Sequence, residues 1–176
     1  MLKKMFLSLS FALTFVLLGA VSGFAQGANV ITNGDFLSGS SGWATSATGV
    51  GSSVTFPSGY TTPPLVGTTS VLRAQSTGNT AVLSQSSLSL TSEATYRLAI
   101  GYSTSRTDSM TFEVKISDGV TDLIYSIPLN TTVTDLVRDF TIPSGFGSAT
   151  ITFTVTNSSG LSRFATVDNI SLTKLQ

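Results

Sequence analysis

The 176-residue sequence contains no cysteine and no histidine. Without cysteine there is no disulfide framework, so the fold must be held by its apolar core or by a bound ion. Lacking both residues, it also excludes zinc sites, thiol nucleophiles and histidine-based triads. Carboxylates are sparse as well. Glu93 and Glu113 are the only glutamates, and the aspartates stand singly among turns. Glycoside hydrolysis wants two carboxylates about 5–10 Å apart in a cleft, and no such pair is visible. The segment "GVGSS" from Gly49 lacks the lysine and the strand–helix context of a phosphate-cradling loop. An enzyme is therefore not expected. Charged residues make up only 10% of the chain, nine basic against nine acidic. No basic patch is present to neutralise phosphates, so nucleic acid is not an expected partner.

What is present begins with an apolar leader. Lys3 and Lys4 precede Met5 through Val21, which is almost wholly apolar, and Gly23-Phe24-Ala25 then supplies a small-x-small exit. A signal peptide over 1–25, cut after Ala25, is expected. The rival is a retained anchor, for which the run is marginal, since a spanning helix needs about 20 apolar residues. Removal of the two leader lysines leaves seven basic residues against nine acidic, a balance of −2. The mature chain, 26–176, is long enough for one domain. It is expected outside the cytoplasm, extracellular or periplasmic, with no membrane contact after cleavage.

Beyond Ala28 the apolar residues alternate with period two. Tyr96, Leu98, Ile100 and Tyr102 alternate with Arg97, Ala99 and Gly101; Met110 to Ile116 and Ala149 to Val155 behave alike. Each predicts a strand with one buried and one wet face. Asp118-Gly119 predicts a tight hairpin of the type that needs positive φ at both central residues. Pro57, Pro63 and Pro64 predict a loop over "FPSGYTTPPLVG". About ten short strands result, arranged as an all-β antiparallel sandwich.

Two segments at the chain ends stand out. "ITNGDFLSGSSGW", Ile31 to Trp43, holds the only tryptophan. Near the C-terminus, in "FATVDNISLTKL", the apolar phase shifts across Asp168-Asn169. One reading places a β-bulge there. The other keeps a single register and turns Asp168 inward, where its carboxylate needs a cation or hydrogen-bond donors.

"NGDF…GW", "LRAQ", "VLSQSSLSL", "TYRLAIGY" and "VDNISL" follow one another in an order that resembles the carbohydrate-binding modules of families four, nine and twenty-two. These are jelly-roll sandwiches of the galactose-binding-like type, often appended to bacterial glycoside hydrolases. The resemblance implies a non-catalytic protein that binds a polysaccharide or oligosaccharide. It also implies a structural calcium ion where the two ends meet, with Gly34, Asp35 and Asp168 as the matching positions. Leu37 departs from the pattern, standing where an acidic residue is usual. The alternative is that Asp35 and Asp168 cap turns. Trp43 is expected to be packed, closing that end of the sandwich.

Sugar recognition needs rings to stack on pyranose faces and planar polar groups to pair with hydroxyls. Tyr60 is the candidate for display on the proline-rich loop. Tyr125 is a second candidate, although its alternation with Ile127 and Leu129 argues for the core. Arg97 and Glu113 are read as neighbours across two strands, and Arg73 and Gln85 as hydrogen-bonding groups. Tyr102 is expected to be buried. No wet face carries a row of rings, and Gly101 and Thr154 stand where related modules often carry an aromatic or an amide. Thr150, Thr152, Thr154 and Thr156 instead form a hydroxyl comb with a spacing of about 6.5–7 Å. That surface motivates a second expectation: a structural or adhesive envelope or matrix protein that keeps the fold without a sugar site and associates with further copies of itself.

Overall fold

The period-two segments form strands, and their apolar phases meet in one core. The structure, a computed structural model, describes residues 27–176, so the expected leader over 1–25 lies outside the described residues. Twelve strands, β1 to β12, are numbered along the chain, with no helix among the described residues. One sheet is ordered β1 (Ala44–Ala47), β6 (Thr80–Leu88), β11 (Ala149–Asn157), β8 (Met110–Ser117), β9 (Asp122–Ser126). The other is ordered β10 (Thr134–Thr141), β7 (Thr95–Thr104), β12 (Arg163–Lys174), β5 (Ser70–Ala74), β2 (Ser53–Thr55). A separate hairpin pairs β3 (Tyr60–Thr62) with β4 (Leu65–Gly67). All pairings are antiparallel, and from β5 onward the chain passes repeatedly between the layers, as a jelly roll requires.

The core lies between the two five-stranded sheets. Phe153 of β11, Phe112 of β8 and Leu83 of β6 face Leu98 and Ile100 of β7 and Leu72 of β5, all nearly solvent-free. Each such side chain contributes roughly 1.5–3 kcal/mol by leaving water. Tyr102 is buried as expected, its hydroxyl donating to the Pro128 carbonyl at 2.8 Å.

Two local expectations change. The proline-rich segment is not a loop: Pro63-Pro64 fill the turn between β3 and β4, so neither proline has to supply a ladder hydrogen bond. The β8–β9 connection is also wider than a two-residue turn. Residues 118–121 intervene, only Gly119 has positive φ (89°), and the Asp118 carboxylate accepts from the N–H groups of Val120 and Thr121. Those hydrogen bonds hold the Asp118 carboxyl below the usual aspartate range.

At Asp168-Asn169 the two sequence readings merge. The β12–β7 register slips between Asp168 and Ser171, and Asn169 has φ of 50°, so the bulge is present. Val167 and Ile170 both join the core, while Asp168 pairs opposite Gly101 on the outer face. Asp168 is nevertheless fully buried, because the β3–β4 hairpin covers that face. A Cβ at Gly101 would lie 2.7 Å from Pro64 Cγ, and the Val66 N–H donates to Asp168 Oδ2 at 3.0 Å.

Candidate binding cleft

The ends of the described chain clasp, and this decides the fate of several candidate residues. The N–H groups of Gly27 and Val30 donate to the carbonyls of Lys174 and Leu172, and the Ile170 N–H donates to Gly34 O at 2.9 Å. Trp43 is buried as expected; its indole N–H donates to Asn33 O at 3.0 Å and its ring lies 5.5 Å from Phe36 and 6.3 Å from Phe153. Gln85, read as a sugar-binding group, is instead buried inside this clasp. Its amide accepts from the Thr32 N–H and donates to the carbonyls of Thr32 and Gly42, so both of its N–H donors are spent tying the head loop to β6.

Asp35 and Asp168 fall at the same end of the molecule. Burial raises the Asp168 carboxyl above the ordinary aspartate range; the N–H groups of Val66 and Asn169 oppose that shift, and the charge of Asp35 adds to it. No ion pair of the described residues involves Asp168. A buried carboxylate that feels a second one and has no cationic side chain supplies hard oxygens, which fit a calcium ion in charge and chemistry. The set is small. Among the described residues no group of three or more His, Cys, Asp or Glu gathers, so an ion there would complete its shell with carbonyl oxygens and water. Gly34 has a separate steric role, since a Cβ on it would meet Ile170 O at 2.0 Å.

The broad outer faces carry no row of rings. On the β1–β9 sheet, Thr150, Thr152, Thr154 and Thr156 are flanked by Thr111, Glu113 and Lys115, and Lys115 pairs with Asp122 at 3.4 Å. On the β10–β2 sheet, the centre lies under the hairpin that carries Tyr60, where Leu65 and Val71 are buried apart from the main core. Arg73 places its guanidinium 5.7 Å from the Phe164 ring. The expected Arg97–Glu113 neighbourhood is corrected. β7 and β8 are consecutive in the chain but lie in opposite layers, which puts the two side chains on opposite outer faces. Arg97 instead makes two 2.8 Å hydrogen bonds to Asp139 on β10, and these hold the Asp139 carboxyl below its usual range.

One recess combines an aromatic ring with a planar cation. At the open side of the sandwich, the edge strands β9 and β10 flank a cleft of about 290 Å³. Leu98 and Val114 underlie it, themselves closed off from solvent, with Ile124 and Tyr125 on one wall and Leu136 and Arg138 on the other. Tyr125 is half-buried, its ring 5.9 Å from Phe140, so the core reading and the display reading each describe one side of it. The Arg138 guanidinium lies 5.2 Å from the Tyr125 ring centroid, within cation–π range. Register explains its position. Arg138 pairs opposite Leu98, between Leu136 opposite Ile100 and Phe140 opposite Tyr96, so it falls in the inward phase of β10, yet at this sheet edge it stays exposed to solvent. Sequence reasoning passed over Arg138, although a charge in the apolar phase of "LVRDF" was the available signal. Tyr60 and Tyr125 are not brought together: one sits on the hairpin over an outer face, the other between the layers at the β9–β10 edge.

No protein-family model and no curated sequence matches the chain. Solved structures do share its fold. TmCBM61, determined with β-1,4-galactotriose, is 17% identical with a TM-score of 0.60, over 82% of this chain and 97% of that one. A family-four carbohydrate-binding module is 16% identical with a TM-score of 0.56, over 79% of this chain and 99% of that one. The enzymatically active domain of tailspike protein 4 from bacteriophage CBA120 is 20% identical with a TM-score of 0.67 over 84% of this chain, which spans only 21% of that protein. The chain thus has the jelly-roll sandwich fold of carbohydrate-binding modules, as the order of its sequence motifs implied.

Proposed function

We propose that this is an exported, non-catalytic carbohydrate-binding protein that seats a sugar residue in the β9–β10 cleft against Tyr125. The observation that supports it is the pairing of a half-exposed ring with an adjacent guanidinium over an apolar floor, on a fold shared with glycan-binding modules. A pyranose has an apolar face for the ring and hydroxyls for Arg138. Neither glutamate lines the cleft: Glu93 is in the β6–β7 loop and Glu113 on an outer face. Titration calorimetry against xylan, β-glucan, cellulose oligomers, β-1,4-galactan and acidic polysaccharides should find a ligand. Tyr125→Ala should weaken it by roughly tenfold or more, the loss of one stacking contact. Absence of binding across the whole panel by folded protein overturns the reading.

Calcium belongs to the same proposal, held by Asp35 and Asp168 at the clasp as a structural ion remote from the cleft. Calcium at a hundredfold excess over its Kd should raise stability by about 2.7 kcal/mol relative to chelator. Asp35→Asn, at an exposed position, should reduce that gain. Identical melting curves in calcium and in chelator would remove the ion from the account.

A structural or adhesive role is the second reading. It is favoured by the ring-free threonine face of the β1–β9 sheet, a hydroxyl surface open to a second copy. Monomers alone in light scattering, with no association with cells, count against it.

A further inference from the structure

We infer that the sugar taken by the β9–β10 cleft is acidic: a hexuronic acid at a chain end or branch, its carboxylate received by Arg138. The inference rests on the carbohydrate-binding reading and adds the substrate class. It begins with an electrostatic imbalance. Arg138 makes no hydrogen bond or ion pair among the described residues; its one recorded partner is the Tyr125 ring.

The acids of the surrounding strands all point elsewhere. On β10, Asp135 pairs opposite Gly101 and Asp139 opposite Arg97, both on the outer face, and Asp139 is already committed to Arg97. On β9, Asp122 pairs with Lys115. On β8, Glu113 shares the outer face with Thr154 and Ser126. Arg138 is therefore a lone cation at the mouth of an apolar recess, with a five-donor fork whose geometry matches a carboxylate through two parallel hydrogen bonds.

Size points to one residue. The 290 Å³ cleft stands at the lower end of ligand pockets, which span roughly 300–1,000 Å³. It admits a single sugar ring and leaves the rest of the chain in solvent, which suits a terminus or branch better than an internal run. Ile124, Tyr125 and Leu136, which keep accessible surface, offer the apolar contact for a pyranose face, and a carboxylate on the ring neutralises the wall. The competing account is an inward charge that merely guards an edge strand from pairing with another chain.

The two accounts separate in a matched binding experiment on the folded protein. Oligomers of galacturonic, glucuronic and mannuronic acid are titrated beside their carboxyl methyl esters, at low salt and at about 0.5 M salt, where exposed charge pairs are screened. At least one acid should bind roughly ten- to a hundredfold more tightly than its ester, the range expected of one charge-assisted hydrogen-bonded pair, and the preference should shrink with salt. Arg138→Gln should abolish the difference between acid and ester, whatever affinity both lose with the hydroxyl contacts of Arg138. Arg138→Lys, which keeps the charge without the fork, should retain part of the preference and serves if Arg138→Gln melts. Equal binding of acid and ester, or a preference untouched by Arg138→Gln, overturns the acidic assignment while sugar binding stands. If no acid binds but a neutral glycan does, the assignment likewise fails. Only silence from every glycan would bring down the carbohydrate reading itself.

Discussion

Gly34→Ala should cost roughly 3 kcal/mol or more, combining an overpacked contact with a lost hydrogen bond. The added Cβ would stand 2.0 Å from Ile170 O and 3.0 Å from Ile170 C, both backbone atoms of β12. No rotamer change relieves a clash with backbone, so the two segments must part, breaking the 2.9 Å bond from the Ile170 N–H to Gly34 O. Separation there also loosens Gln85, whose amide spans Thr32 and Gly42 in the same loop. For a chain of this size each kcal/mol lowers Tm by about 2–4 °C, so a drop of at least roughly 6 °C is expected by calorimetry. Gly160→Ala is the control, since nothing lies within 4 Å of its added Cβ and its φ is not positive. It should stay within about 0.5 kcal/mol of the parent. Equal stability of the two variants would show that the head does not lean on the tail.

Trp43→Ala should be comparably severe, about 3–5 kcal/mol for removal of a large buried ring. The indole stands 7% exposed between Phe36 and Phe153, so its loss opens a cavity between the head loop and β11. The Asn33 carbonyl also loses its indole donor. Trp43→Phe separates these contributions: a ring remains, the hydrogen bond goes, and the loss should fall to about 1–2 kcal/mol. Because this is the only tryptophan, unfolding of both variants is followed by far-ultraviolet circular dichroism rather than fluorescence. A Trp43→Ala protein that melts with the parent would mean that the ring only covers the core.

Much of the fold is legible in the residues. Alternation places the strands because side chains on a pleated backbone point to opposite faces, a rule that needs no partner. The phase shift at Asp168-Asn169 announces the bulge for the same reason. The proline-rich segment is less legible. Proline forbids a central ladder position but permits a turn, and only the approach of Gly101 and Asp168 gives β3 and β4 a surface to lie on. The site residues follow the same division. Tyr102 was readable as buried because it follows the apolar phase of its strand, and Trp43 because a large ring at an element boundary is usually packed. Gln85 was not, because a polar amide in the phase of Ala81 and Leu83 reads as inward only once the head loop supplies the backbone groups that satisfy it.

By itself, the sequence determined that this is an all-strand sandwich without cysteine, histidine or a carboxylate pair, with a head and a tail suited to each other. These are local properties of residue type and spacing. Which layer each strand joins was decided only by the tertiary structure. That assignment separated Arg97 from Glu113, hid Asp168 under a hairpin and brought Tyr125 beside Arg138 across strands from opposite sheets. Crossing from one sheet to the other is a long-range event, governed by how two apolar faces close on each other, and no local pattern encodes it.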